Sequence, residues 1–286
     1  MMSKAKKQIT IRTYLPADNS IIYEKSEEVY YKKFVSFQKH TTRIILCNDD
    51  VVGWMMLAIP GNPLYDGQIF MYVFPEHRRQ QVGTLAYRQA EAELLSVGCS
   101  WWTSYPSSDI ADKFVLSVGF DYTNTNAYME HDNNLYDAST DGIRMCRKED
   151  YPTAPDIWTR EYAAMHTRIG IPYNRQELSE AERQEEYDDF IKEIHNSFVL
   201  ENGGEIIGFG KLFDDSTGIG AVAIDSTYSG RGYGTRLSAF LTNESIRRGC
   251  KNPCLYCEAG NNNALHVYQK IGYREISRET VALRKR

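Results

Sequence analysis

The chain has 286 residues, 42% of them apolar and 25% charged, with a net charge of −5. That suits one large soluble domain or two of roughly 100–150 residues each, and the acidic balance argues against nucleic acid as the main partner. No apolar run approaches the ~18–20 residues that span a bilayer, so no membrane partner is expected.

The N-terminal stretch MMSKAKKQITIRTY is charged and lacks the apolar core of a secretory leader, so a cytoplasmic location is expected. The first half then reads as a strand, a helical stretch, and a hairpin over RIILCNDDVVGWMML (43–57). A strand, a helix, a strand, a helix and a terminal pair of strands follow. The polar stretch LYDASTDG (135–142) is a candidate linker, dividing the chain into residues 1–141 and 142–286.

The second half repeats the order of the first. Its hairpin SFVLENGGEIIGFGKL (197–212) matches the earlier one, with Gly53 and Gly208 spaced by 155 residues. FPEHRRQQVGTL (74–85) lines up with DSTYSGRGYGTRL (225–237), Gly83 and Gly234 lying 151 apart. Both following helices stop at Gly-Cys, Gly98-Cys99 and Gly249-Cys250, again 151 apart. Gly119 and Gly272 are the fourth match, at 153. Four landmarks in one order indicate duplication, and the mixture of elements is α/β, a sheet covered by helices. The second half adds a longer early insertion (155–196), which reads as two helices, the later opening at a capping box of Ser179 and Glu182.

GIGAVAIDSTYSGRGYGTRLSAFL (218–241) reads as strand, glycine loop and helix. A helix N-terminus presents unpaired N–H groups and the positive end of its dipole, and glycine lets backbone wrap a pyrophosphate. The spacing is neither a P-loop nor a dinucleotide fingerprint. By itself it leaves phosphate binding and a plain tight turn open.

Cys254 and Cys257 form C-x-x-C, but on a strand residues three apart face opposite ways. No second pair stands at zinc spacing, so no metal is expected; Cys254 and Cys257 are read as strand residues in or near the core, and the six cysteines fit a reducing compartment.

STYSGRGYGTRL followed by NNNALHVYQKIGY resembles the GNAT superfamily of N-acetyltransferases. Gly232 and Gly234 fill that family's R/Q-x-x-G-x-G/A loop, and Asn261, Ala264, Tyr268 and Gly272 fill its N-x-x-A-x-x-x-Y-x-x-x-G motif. Ser229 departs from the leading Arg/Gln. The resemblance implies two tandem GNAT-like domains, each a mixed, mostly antiparallel twisted sheet flanked by helices. It further implies acetyl-CoA as the acetyl donor. The donor would lie against Val222, Ala223 and Ile224, the loop residues Gly230, Arg231, Gly232, Tyr233, Gly234 and Thr235, and Asn261.

The first half keeps Arg78 and Gly83 but has Gln81 for the first glycine, Ser108 for the asparagine and Val115 for the tyrosine. It is expected to be a degenerate copy. The implied reaction is direct attack of a primary amine on the thioester within a ternary complex. Tyr268 matches the general acid, protonated at neutral pH by its ordinary pKa of about 10. Glu258 is the nearest carboxylate for a base; relatives that carry one place it where Tyr256 stands, two residues earlier on one strand face. The acceptor, a small molecule or a peptide amine, is left open, although the net charge and the acidic run ELSEAERQEEYDD (177–189) suit a cation. A monomer or a homodimer is expected. A non-catalytic CoA-responsive binding or sequestering protein is the alternative, favoured by Ser229.

Overall fold

The computed structural model describes residues 8–36, 41–58, 67–171 and 178–286. The start of the N-terminal stretch and residues 172–177 of the insertion lie outside the described residues. The first half runs β1 (Ile9–Thr13), α1 (Asn19–Lys25), α2 (Glu28–Ser36), β2 (Thr42–Cys47), β3 (Asp50–Ala58), β4 (Gln68–Val73), α3 (Val82–Ser96), β5 (Trp101–Ser104), α4 (Asp109–Ser117) and β6 (Asp121–His131). The second repeats the order with β7 (Ile143–Met145), α5 (Thr153–Ile169), α6 (Glu180–Lys192), β8 (Ser197–Asn202), β9 (Glu205–Leu212), β10 (Ile219–Ile224), α7 (Tyr233–Arg247), β11 (Cys254–Glu258), α8 (Asn262–Lys270) and β12 (Tyr273–Lys285).

The chain divides into two compact units at places other than residue 141. One runs to Thr123 and includes Val281–Arg286; the other is Asn124–Thr280. The reason lies in the last strand of each half. β6 pairs antiparallel with β11, Ala127 opposite Cys257, and the end of β12 pairs antiparallel with β5, Ala282 opposite Ser104. The expected terminal pair of strands is therefore a single long strand in each half.

In the first unit β1 to β4 form an antiparallel meander and β4 meets β5 in parallel at Gln68 and Thr103. In the second, β7 to β10 form the same meander. The duplication extends to irregularities. Gly53 faces Ile45 and Gly208 faces Leu200, and in both hairpins the register slips at the next pair. Val52 and Ile207 are the extra residues of these matching bulges, a device that bends the strand and reverses its alternation.

Helices cover both faces of each meander. In the first unit Ile45 and Met55 pack under α3 and α4, whereas Ile44 and Trp54 pack under α1 and α2. In the second, Leu200 and Ile207 join Leu237 of α7 and Tyr268 of α8. Val199 and Phe209 on the other face join Ala154 of α5 and Phe190 of α6. Burying each large side chain fully is worth about 1.5–3 kcal/mol relative to exposure. The capping box is present, with the Glu182 N–H donating to Ser179 Oγ at 3.3 Å and the Ser179 N–H to Glu182 at 2.8 Å. α6 buries only Phe190, so the described part of the acidic run is a solvated helix face.

Candidate active site

Glycine builds the opening of the second unit's sheet. A Cβ on Gly218 would stand 1.8 Å from the Cys254 carbonyl oxygen, so only glycine lets β10 and β11 touch there. The two strands meet at that single parallel bridge, where the Cys254 N–H donates to the Thr217 carbonyl at 2.9 Å. Beyond it, among the described residues, β10 pairs only with β9 and β11 only with β6. The gap leaves one edge of β10 unpaired. The Asp225 N–H donates to Ile207 on the β9 side at 2.9 Å. N–H directions alternate along a strand, so Val222 and Ile224 turn theirs to the open edge and Ala223 does not.

The chain then passes through the turn Ser226–Tyr228 into the glycine loop. Gly230 has φ 75° and Gly232 φ 83°, a left-handed backbone that costs other residues roughly 1–2 kcal/mol. Neither has an atom within 4 Å of an added Cβ, so the loop faces open space. Gly232 is the N-cap of α7 and offers no side chain to its first turn. The N–H groups of Tyr233, Gly234 and Thr235 thus lack helical partners, at the positive end of a 15-residue helix. An anionic phosphate fits this cradle. Arg231 lies over the Tyr228 ring at 5.3 Å and Arg236 over Tyr233 at 5.1 Å, which adds positive charge beside it. Ser229, in the leading position, is exposed.

The first unit keeps the loop's shape without its glycines. Arg79 and Gln81 have φ 62° and 65°, and Gln81 is the N-cap of α3. The space differs. Phe114 comes within 3.3 Å and Met71 within 3.7 Å of a Cβ on Gly83, whereas Gly234 meets only Ile224 at 3.9 Å. Val115 is buried where Tyr268 stands in the second half.

Asn261 is the N-cap of α8 and makes no side-chain capping bond. Tyr268 lies almost two turns along, 8% exposed. Its ring packs edge-on to Tyr273 at 5.9 Å, and among the described residues its hydroxyl has no hydrogen-bond partner. Burial, with smaller contributions from Cys257, Tyr273 and Glu258, raises its pKa above the usual phenol value and keeps it protonated.

Glu258 closes β11 with its side chain 17% exposed. Tyr162 of α5 donates to its Oε1 at 2.8 Å, and His166 Nε2 lies 3.4 Å from the same oxygen. Burial opposes ionisation, yet hydrogen bonds from His166, Tyr162 and the backbone prevail and hold the carboxyl below its ordinary pKa. Tyr256, on the same strand face, is 52% exposed. Cys257 faces the core, and burial pushes its thiol up to about 12, consistent with a packing residue. All six cysteines are free thiols.

Sequence reasoning did not single out α5. Trp158, Tyr162 and His166 recur every four residues and stack along one helix stripe, with centroids 4.7 and 4.2 Å apart. That W-x-x-x-Y-x-x-x-H spacing was the available signal. α5 also ties down the turn before the glycine loop: Arg160 bonds Asp225 at 2.6 Å, and the Ser226 N–H donates to Glu161 at 3.1 Å.

The model of the acetyltransferase (GNAT) family matches residues 9–120 and 157–273. A mycothiol acetyltransferase from Corynebacterium glutamicum is 25% identical over 249 residues, covering 82% of this chain and 78% of that protein. Two solved structures share the fold. A GCN5-related N-acetyltransferase from Sphaerobacter thermophilus has a TM-score of 0.68 at 15% identity, over 97% of this chain and 95% of its own. A tandem GNAT protein from the clavulanic acid biosynthesis pathway has a TM-score of 0.54 at 16% identity, over 85% and 82%. No helix among the described residues is long and apolar enough to cross a membrane.

Proposed function

Because the chain belongs to the GNAT acetyltransferase family over both halves, and is an N-acetyltransferase on that ground, we propose that its second half acetylates a primary amine of a small molecule. The observation that carries this reading is the buried Tyr268 phenol, kept protonated by burial and by the nearby Glu258 charge among its smaller causes. Acetyl-CoA, when bound, supplies the acetyl thioester. The first-turn N–H groups of α7 and the loop of Gly230, Arg231 and Gly232 hold its phosphates. The Val222 and Ile224 N–H groups are the donors for the carbonyl oxygen.

The amine nitrogen forms its bond to the acetyl carbon as the carbon–sulfur bond breaks. Tyr268 donates its proton to the departing sulfur, and the proton that the nitrogen sheds as the amide forms returns the phenol to its protonated state through solvent. An alkylammonium, with a pKa near that of lysine at about 10.4, is neutral in only about one molecule in 10³ at pH 7. Glu258 receives the ammonium, and the proton that must leave before attack passes by way of the carboxylate to solvent. The mycothiol acetyltransferase relative, named for a small-molecule acceptor, supports the same substrate scale.

The test is thiol release from acetyl-CoA with a panel of primary alkylamines, each paired with the alcohol of the same skeleton. Turnover of amines and not alcohols is expected. Glu258→Gln should lower kcat/KM for amines about 10²-fold, within the range of acid–base assistance. A panel without any amine turned over overturns the reading.

A further inference from the structure

We propose that Tyr162 and His166 of α5 are positioning residues that bond one oxygen of Glu258 and leave the other to receive the acceptor's ammonium group, so that the site selects cationic amines over neutral nucleophiles. This rests on the role of Glu258 given above and adds the reason for it.

The geometry is one-sided. Both side-chain contacts to the carboxylate, Tyr162 Oη at 2.8 Å and His166 Nε2 at 3.4 Å, fall on Oε1. Among the described residues Oε2 has no side-chain partner. A carboxylate has room for about four hydrogen bonds, and one with an oxygen left over in a mostly buried setting holds unspent acceptor capacity. An ammonium, with three donors, meets that need; an alcohol, with one weaker donor, meets it poorly.

The other neighbours do not compete. Tyr268 of α8 is the ionisable group facing from that side, and it is protonated. Cys257 is a protonated thiol pointing to the core. Across the strand pair Asn126 of β6 stands opposite Glu258 and carries no charge. Among the described residues no Lys or Arg forms an ion pair with Glu258, and its one ion-pair partner, His166, lies on Oε1, so the substrate's ammonium meets Oε2 without a lysine or arginine in its place. The Trp158 ring extends the stripe beyond Tyr162, an aromatic wall for the acceptor's carbon skeleton.

Tyr162 matters because its hydroxyl does two things at once. After the larger contribution of His166, it helps to keep Glu258 ionised despite burial, and its bond fixes which oxygen is occupied. Removing the hydroxyl while keeping the ring should release both.

The experiment compares wild type, Tyr162→Phe, His166→Gln and Glu258→Gln. The first readout needs no acceptor: the Glu258 carboxyl carbon is followed by NMR titration, assigned by its absence from Glu258→Gln. Tyr162→Phe should move the titration of Glu258 to higher pH and carry the acidic limb of kcat/KM for amines with it. A hydrogen bond to a charged group is worth enough to lower kcat/KM about tenfold or more, with the melting temperature and acetyl-CoA affinity retained. His166→Gln, which keeps a donor near the same place, should shift both less. An unmoved Glu258 titration in Tyr162→Phe overturns the proposal even if Glu258→Gln is inactive. Full amine turnover in Glu258→Gln overturns the underlying reading instead. If Tyr162→Phe melts early, the His166→Gln titration decides, and no shift there overturns the positioning role.

Discussion

Replacing Tyr268 by Phe removes a proton donor and, among the described residues, no hydrogen bond. The ring and its edge-on contact with Tyr273 remain. The hydroxyl is not among the fully buried unsatisfied atoms, so its removal leaves no orphaned partner and Tyr268→Phe should melt within a few degrees of the wild-type temperature. Turnover should fall. General-acid assistance is worth ~10²–10⁴-fold, and because a thiolate leaves more readily than an alkoxide the loss should sit near 10². Acetyl-CoA affinity should change by no more than a few-fold, since the α7 N–H groups and the glycine loop are untouched. The wild-type pH–rate profile should show no alkaline limb from Tyr268 until above pH 10, because burial raises that phenol. Thiol release, calorimetric acetyl-CoA binding and thermal melting on one preparation check all of this. Wild-type turnover in a stably folded Tyr268→Phe refutes the donor role. A fall in melting temperature that accounts for the lost activity makes the hydroxyl a structural group instead.

Gly232→Gln copies Gln81 of the first half, which holds the same left-handed backbone. With nothing within 4 Å of the new Cβ, the fold should lose only about 1–2 kcal/mol. Acetyl-CoA binding, read by titration calorimetry, should weaken at least about tenfold, ~1.4 kcal/mol, and unchanged binding takes the loop out of the donor site. Asp150→Asn tests a second repeated device: Asp150 accepts two bonds from Arg144, at 2.7 and 2.9 Å, and one from the Arg147 N–H at 2.6 Å. Arg144, the first cause, holds the Asp150 pKa low, so its contribution is present above the unfolded carboxyl's pKa of about 3.9 and is lost as pH falls through the folded value. Urea denaturation should find the variant about 2–3 kcal/mol weaker at pH 7, with the difference closing below about pH 4; a pH-independent difference refutes the linkage.

The glycine landmarks were legible because each answers to a local backbone need that a sequence displays. Gly208 and Gly53 sit at the same point of two bulged hairpins, and Gly232 at an N-cap in the left-handed region. The motif that carries Tyr268 was legible for the same reason, since it ends at Gly272, whose φ is 107°. What could not be read was long-range. β6 pairs with β11 rather than closing the first half, and β12 ends against β5, so the unit boundaries fall inside strands that look continuous. The Arg12–Asp18 pair, at 2.6 Å, and its repeat Arg144–Asp150 also went unread, because an Arg and an Asp six residues apart signal nothing until a 3-10 turn brings them together. Glu258 was found as the nearest carboxylate, but its partners Tyr162 and His166 lie more than ninety residues away.

The two halves then separate what the duplication preserved from what chemistry requires. Backbone shape at the loop is common to both: Arg79 and Gln81 accept left-handed φ values where Gly230 and Gly232 adopt them freely. Shape is therefore insufficient, since strain of roughly 1–2 kcal/mol per residue is within what a packed unit tolerates. The differences lie in three side chains. Gln81 carries a side chain at the N-cap position where Gly232 has none, Phe114 closes on Gly83 where Gly234 stays open, and Val115 stands where the second half has Tyr268. On the proposed function, the first two bear on whether a phosphate reaches the helix N-terminus and the third on whether a departing thiolate is protonated. Gln81→Gly alone leaves Phe114, Val115 and Ser108 in place, so the expected outcome is a first half that still transfers no acetyl group, and thiol release assigned to the first half of that variant refutes the reading.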